Sequence, residues 1–200
     1  MRRKGGILCM VLGLVLLLAA LSLILYNRWE DSQAGKYADE ALEELQWDTE
    51  QRSTGVDIPI YNRPEDGVMD TVEIDGRAYI GTLTIPSLEL ELPILSEWSY
   101  EGLRIAPGRY TGSVWTDDLV ICGHNYSRHF GNLKYLETGD TLTFTDVNGN
   151  VFHYQVAEVI ILQPTDVEEM ITGEWDLTLF TCTIGGRTRV TVRCSRTDET

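Results

Sequence analysis

The sequence predicts an all-β domain, a closed barrel or a sandwich, behind a single N-terminal membrane helix. Three observations carry this. At least seven short β-rich runs occupy about 120 residues from Tyr79 onward. Helical segments are too few to alternate with them as a parallel α/β sheet requires. Residues 7–25 read ILCMVLGLVLLLAALSLIL, 19 residues without a charge.

As a helix that run spans about 28 Å at roughly 1.5 Å per residue, near the hydrocarbon thickness of a bilayer. Arg2, Arg3 and Lys4 precede it. Basic residues stay inside, so residues 1–6 are expected as a cytoplasmic tail and the remainder outside the membrane. Tyr26 and Trp29 fall where an interfacial aromatic belt is expected. A cleaved signal peptide is the alternative, but its apolar core is about 7–15 residues. Residues 7–26 are therefore read as an uncleaved single-pass anchor, and either reading exports the rest.

The chain holds 16 Lys and Arg against 31 Asp and Glu, a formal net charge of −15. The first 28 residues carry four basic residues and no acid, so residues 29–200 carry −19. Such a surface argues against nucleic acid, which needs a basic face. It is also repelled by anionic headgroups, so attachment falls to the anchor. A hydrophobic share of 43% excludes wholesale disorder.

Residues 27–76 read as a stalk and linker. GKYADEALEELQW (35–47) has helical spacing, with Ala38, Ala41, Leu42 and Leu45 on one stripe. A solvated stalk helix is the first expectation, a helix packed on the domain the second. Residues 48–76 are polar and carry Gly55, Pro59, Pro64, Gly67 and Gly76, the composition of a linker.

Residues 77–200 form the expected β domain. Strands are read at 79–85, 88–95 and 119–123. Residues 141–156 form the clearest hairpin, turning at Asn148-Gly149, a pair that tolerates positive φ at both central positions. Residues 156–163 extend its second arm, and 177–183 and 189–194 give two more strands. Phe130, Leu133 and Leu136 suggest one short helix. Residues 165–171 suggest another, capped by Thr165 or Asp166.

Four cysteines are too few for a disulfide-built mini-protein. Cys9 lies in the apolar segment. Cys122, Cys182 and Cys194 lie beyond it, an odd number, so at least one thiol is free or pairs with another chain. Cys182 is the best candidate nucleophile. It ends LTLFTC before Ile184-Gly185-Gly186, and strand ends at a loop rim are where reactive groups reach substrate. Cys122 and Cys194 read as core residues, with a disulfide between them left open. A thiol needs a base, usually His. His153 reads as a strand residue, and His129 has no distinguishing context. His124, in CGHNYS, sits where a strand yields to a loop and shares a rim with Cys182. Cys122, His124 and His129 also contain metal-ligand atoms, but a zinc site would need a fourth ligand the sequence does not offer. Arg187, Arg189, Arg193 and Arg196 follow Cys182. A hairpin through Gly185-Gly186 brings Arg189 beside Cys182, where positive charge would serve an oxyanion. The alternative is a basic edge strand that resists aggregation.

Together these segments resemble the sortases, membrane-anchored cysteine transpeptidases of Gram-positive bacteria. TLFTC (178–182) is similar to the family's TLxTC signature. CGHN (122–125), followed by Phe130 and Leu133, is similar to its His motif. RVTVR (189–193) is similar to the strand that opens with its Arg. All three occur in family order, and YIGTLTIPSLELELPIL (79–95) resembles the family's first two strands. The resemblance covers roughly residues 78–195. It implies an eight-stranded closed β-barrel with Cys182 as nucleophile, His124 as general acid–base and Arg189 as oxyanion and substrate stabiliser. Arg193 is the alternative to Arg189, and Thr181 is implied as a substrate contact. The implied reaction cleaves the Thr–Gly bond of an LPxTG-like sorting signal through a thioacyl enzyme. The acceptor is then the amine of a cell-wall precursor, a pilin Lys in polymerising members, or water in a peptidase. A sorting-signal binding module without turnover is the non-enzymatic alternative. The chain ends in RTDET without an Asp-Pro-aromatic lid, and only residues 164–176 stand before the nucleophile strand, which suggests a class A-like or class D-like member. No cofactor is expected. Calcium serves some members of the family, but the acids here single out no site.

Overall fold

The computed structural model describes residues 2–52, 64 and 67–197. The expected linker at 53–63 and 65–66 lies outside the described residues, as do the side chains of Arg2, Arg3 and Lys4 and the last three residues of the expected β domain. The chain forms two compact units, Met1–Gln33 and Ala34–Thr200. Helix α1 spans Arg2–Arg52. In the first unit it is long and apolar enough to cross a membrane, and its apolar side chains from Met10 to Leu25 are exposed.

In the second unit the helix is not a solvated stalk. Ala34, Ala38, Ala41 and Leu45 are buried. Their spacing sets them on one stripe, and alanines let the backbone approach closely. Leu45 and Ala41 pack with Val72, Ile74, Tyr79, Leu95 and Ala106. Leu42, expected on that stripe, is only half-buried. Asp39 also accepts two hydrogen bonds from Arg128 Nη2, at 2.7 and 2.8 Å. Both partners are more than half exposed, so this pair orients more than it stabilises.

Among the described residues the β domain contains nine strands: β1 (Val72–Ile74), β2 (Arg77–Ile85), β3 (Leu90–Leu95), β4 (Gly108–Thr111), β5 (Leu119–Gly123), β6 (Thr141–Asp146), β7 (Val151–Leu162), β8 (Leu177–Cys182) and β9 (Arg189–Arg196). Eight of them close into a barrel in the order β2-β3-β4-β5-β8-β9-β7-β6, sealed by antiparallel pairing of β6 with β2. Only β3–β4 and β5–β8 are parallel. The interior is filled by Ile80, Leu83, Ile121, Phe144, Phe152, Leu177, Leu179 and Val192, all fully buried. The two expected short helices are a 3-10 helix at Phe130–Tyr135 and α2 (Val167–Ile171), with Asp166 at its N-cap.

Three expectations need correction. The linker reading of 48–76 fails at both ends. Helix α1 continues to Arg52, and β1 lies within the remainder because Val72 and Ile74 alternate inward. A two-residue turn joins β1 to β2, with both Asp75 (φ 49) and Gly76 (φ 72) left-handed, as the tightest antiparallel hairpin demands. The Asn148-Gly149 turn is longer than expected, and only Gly149 has positive φ. There the Asp146 carboxylate accepts from Asn148 N, Asn150 N and Asn150 Nδ2 at 2.8–2.9 Å and organises the loop in place of a tight turn. The third correction is β4, which was not anticipated. It carries a register shift between Arg109 and Thr111, which breaks the alternation a sequence reading relies on.

Because Leu45 is 1% exposed, Leu45→Ala should destabilise the protein by about 2–4 kcal/mol. Chemical denaturation of the full chain checks this. A solvated stalk would show almost no change.

Candidate active site

Strand β8 is the axis of the site. Leu177 and Leu179 point into the barrel core, so Thr178, Phe180 and Cys182 point outward by alternation. On one side β5 runs parallel to it, with Gly123 opposite Thr181. The next residue on each strand is His124 and Cys182. On the other side β9 runs antiparallel, with Arg189 opposite Cys182 itself. The register therefore brings His124, Cys182 and Arg189 to one end of the barrel.

Each neighbour is held locally. The His124 carbonyl accepts from Phe130 N at 3.2 Å, and the Tyr126 carbonyl accepts from His129 N and Gly131 N at 3.0 and 2.9 Å. A Cβ on Gly123 would lie 2.7 Å from the Phe130 ring, and one on Gly131 would lie 2.5 Å from Asn125 O. Only glycine lets the loop after β5 press onto the 3-10 helix this closely. The Tyr126 ring sits 4.9 Å from the His124 ring and 5.5 Å from that of His129. Tyr126 thus stands between the candidate base and a buried imidazole, a role that nothing in its sequence context signalled.

Thr181 is buried, and its hydroxyl donates to Gly123 O at 2.8 Å, which clamps the end of β5 to β8. It also lines the cleft at Cys182. Beyond Cys182, Thr183 N donates to Thr188 O at 3.0 Å and closes the short loop to β9. Arg189 Nη1 donates to the Gly186 and Thr188 carbonyls, both at 3.1 Å.

The other arginines are committed elsewhere. Arg193 pairs with Glu158 at 2.9 Å, donates to Glu169 O at 3.0 Å and lies over the Trp175 ring. Arg196 pairs with Asp117 at 2.9 Å and lies over Phe152. Arg187 is exposed in the loop. His153 is exposed on β7, 3.3 Å from Thr143 Oγ1. Among the described residues no group of three or more His, Cys, Asp or Glu is placed to hold a metal ion.

Leu103, Val120, Cys122, Leu162, Met170 and Phe180 form a buried apolar cluster edged by Tyr110. An open cleft of about 490 Å³ includes Asn125, Asn132, Lys134, Thr183 and Cys182. Cys122 and Cys194 are free and buried, so the disulfide left open by the sequence is not formed. Burial pushes both thiols up to about 12, and the nearby Cys182 adds a smaller upward push on Cys122.

The sortase domain family profile matches residues 83–197. The chain is 28% identical to sortase A of Bacillus anthracis over 163 residues, 77% of each protein. Among solved structures, sortase C1 of Streptococcus agalactiae is 29% identical with a TM-score of 0.55, covering 64% of this chain and 72% of that one. Sortase C1 from Streptococcus suis is 26% identical with a TM-score of 0.53, covering 61% and 74%.

Cys182 is partly exposed, whereas Cys122 and Cys194 are buried and protonated at neutral pH. Of the three cysteines in the β domain, iodoacetamide should therefore label Cys182 in the folded protein and reach Cys122 and Cys194 only on unfolding, as read by peptide mass spectrometry. Their folded pKa values lie above the ordinary value of 9.0, so the folded state binds more protons than the unfolded state between 9 and about 12. Stability should thus hold below pH 9 and fall as pH rises through that window.

Proposed function

The chain belongs to the sortase family, and from that premise we propose that it anchors exported proteins to the cell wall, with Cys182 as nucleophile, His124 as general acid–base and Arg189 as oxyanion partner. It is a cysteine transpeptidase with a closed β-barrel fold. The observation that carries the assignment of residues is the register of β8. Arg189 lies opposite Cys182, and His124 follows the residue opposite Thr181.

In this reading the Cys182 sulfur attacks the Thr carbonyl carbon of an LPxTG-like signal. A carbon–sulfur bond forms, the bond to the Gly nitrogen breaks, and His124 delivers the proton that the departing amine takes up. A cell-wall precursor amine then bonds to the acyl carbon and passes its proton to His124. The electron pair of the carbon–sulfur bond returns to Cys182. Nη1 of Arg189 is engaged by two carbonyls, which leaves the Nε and Nη2 donors for the oxyanion. The apolar cluster around Phe180 and Met170 suits the apolar residues upstream of the scissile bond. Residues 7–26 cross the membrane with the basic tail inside and the barrel outside. Enzyme and exported substrate then share one membrane plane, which raises their effective concentration.

A second reading, transfer to a pilin Lys, is favoured by the likeness to sortase C1 of two streptococci. Mass spectrometry with a library of sorting-signal peptides and amines tests the assignment. Cys182→Ala should abolish both thioacyl adduct and ligated product. His124→Ala and Arg189→Ala should each lower kcat/KM by about 10² or more. Arg193→Ala should act mainly on stability, since it breaks the pair with Glu158. Loss of turnover in the Arg193 variant with retention in the Arg189 variant would refute the assignment. Product unchanged by added amine would indicate hydrolysis.

A further inference from the structure

Acylation and deacylation pass through related tetrahedral species. The incoming amine therefore occupies the place the departing amine has left. The open cleft at Cys182 offers that amine a way in. That cleft is chemically out of character for this chain. Residues 29–200 carry −19, yet none of the described residues lining the cleft is acidic. They include the neutral polar Asn125, Ser127, Asn132 and Thr183, and one cation, Lys134, whose ammonium lies 4.9 Å from the centroid of the Tyr135 ring. Arg189 flanks Cys182, and Arg187 is exposed in the adjoining loop. By contrast, a cavity of about 550 Å³ elsewhere on the domain is lined by four acids, Glu40, Glu44, Asp75 and Glu101, alongside Arg77 and Arg104.

We infer that this cleft is the acceptor site and that it selects a primary amine whose own molecule bears an anionic group, carboxylate or phosphate, recognised by Lys134. A site built for a free lysine side chain would offer carboxylates to the incoming cation. Here the acids that dominate the rest of the surface are missing, and the single fixed charge is positive. The inference rests on the transpeptidase reading above and narrows its acceptor.

The test uses the full chain in detergent micelles with a donor peptide ending in an LPxTG-type signal. Two acceptor pairs differ only in the anion: triglycine as free acid against triglycine amide, and phosphoethanolamine against ethanolamine. Acceptor KM should be about two- to five-fold lower for the anionic member of at least one pair, the size of a partly screened charge pair. Which pair responds identifies the anion. Lys134→Arg should keep the preference, and Lys134→Glu should cancel or invert it. Because the readout is a ratio between two acceptors, partial loss of folded enzyme does not affect it. Equal or lower KM for the neutral members, or a preference that survives Lys134→Glu, would overturn the acceptor inference alone. Absence of any thioacyl adduct on Cys182 would overturn the transpeptidase reading and this inference with it.

Discussion

A one-residue slip of β8 against its neighbours would turn Cys182 into the barrel and send Leu179 or Phe180 the wrong way, because side chains alternate with a period of two. The register of this strand is the constraint on which the site depends. It is pinned from within by Leu177 and Leu179, which are fully buried, and from without by Phe180, which sits in the outer apolar cluster. A strand buried on both faces has no inexpensive alternative register. The same pairing that closes the barrel therefore sets Cys182 opposite Arg189 on the antiparallel side and beside the end of β5, where His124 follows, on the parallel side.

Around that strand the work is divided. Thr181 and the Gly123–Phe130 contact hold the end of β5, and Tyr126 stands against the His124 ring. The closed loop from Thr183 to Thr188 holds the start of β9. These contacts sit at a barrel end, where strand pairing alone no longer dictates direction. Pre-organisation of this kind is what the proposed chemistry requires of His124, Cys182 and Arg189. Arg193, on the same face of β9 as Arg189, is held by Glu158 and the Glu169 carbonyl.

Much of this was legible in the sequence because the signals were local. Short alternating runs bounded by turn residues mark β2, β5, β6, β8 and β9. The position of Cys182, at the end of a strand and ahead of two glycines, places Arg189 opposite it. What escaped was set by tertiary packing. Strand β1 spans three residues and is recognisable only through the Asp75-Gly76 turn beside it, and the register shift within β4 disrupts its alternation. The stripe of Ala38, Ala41 and Leu45 is small and set among polar residues, so the sequence ranks a packed helix second, and Tyr79 and Leu95 of the barrel decide for packing. The bond from the Thr181 hydroxyl to the Gly123 carbonyl is likewise visible only once the two strands are paired.

The most direct measurement is a crystal structure of the protein captured by a sorting-signal peptide whose scissile carbonyl is replaced by a thiol-reactive group. The adduct should form on the sulfur of Cys182. A ring nitrogen of His124 and an N–H of Arg189 should lie within hydrogen-bond reach, about 2.7–3.2 Å, of the groups that mimic the leaving amine and the oxyanion. An adduct on another cysteine would contradict the convergence. So would a Cys182 adduct with Arg189 turned away and Arg193 in its place.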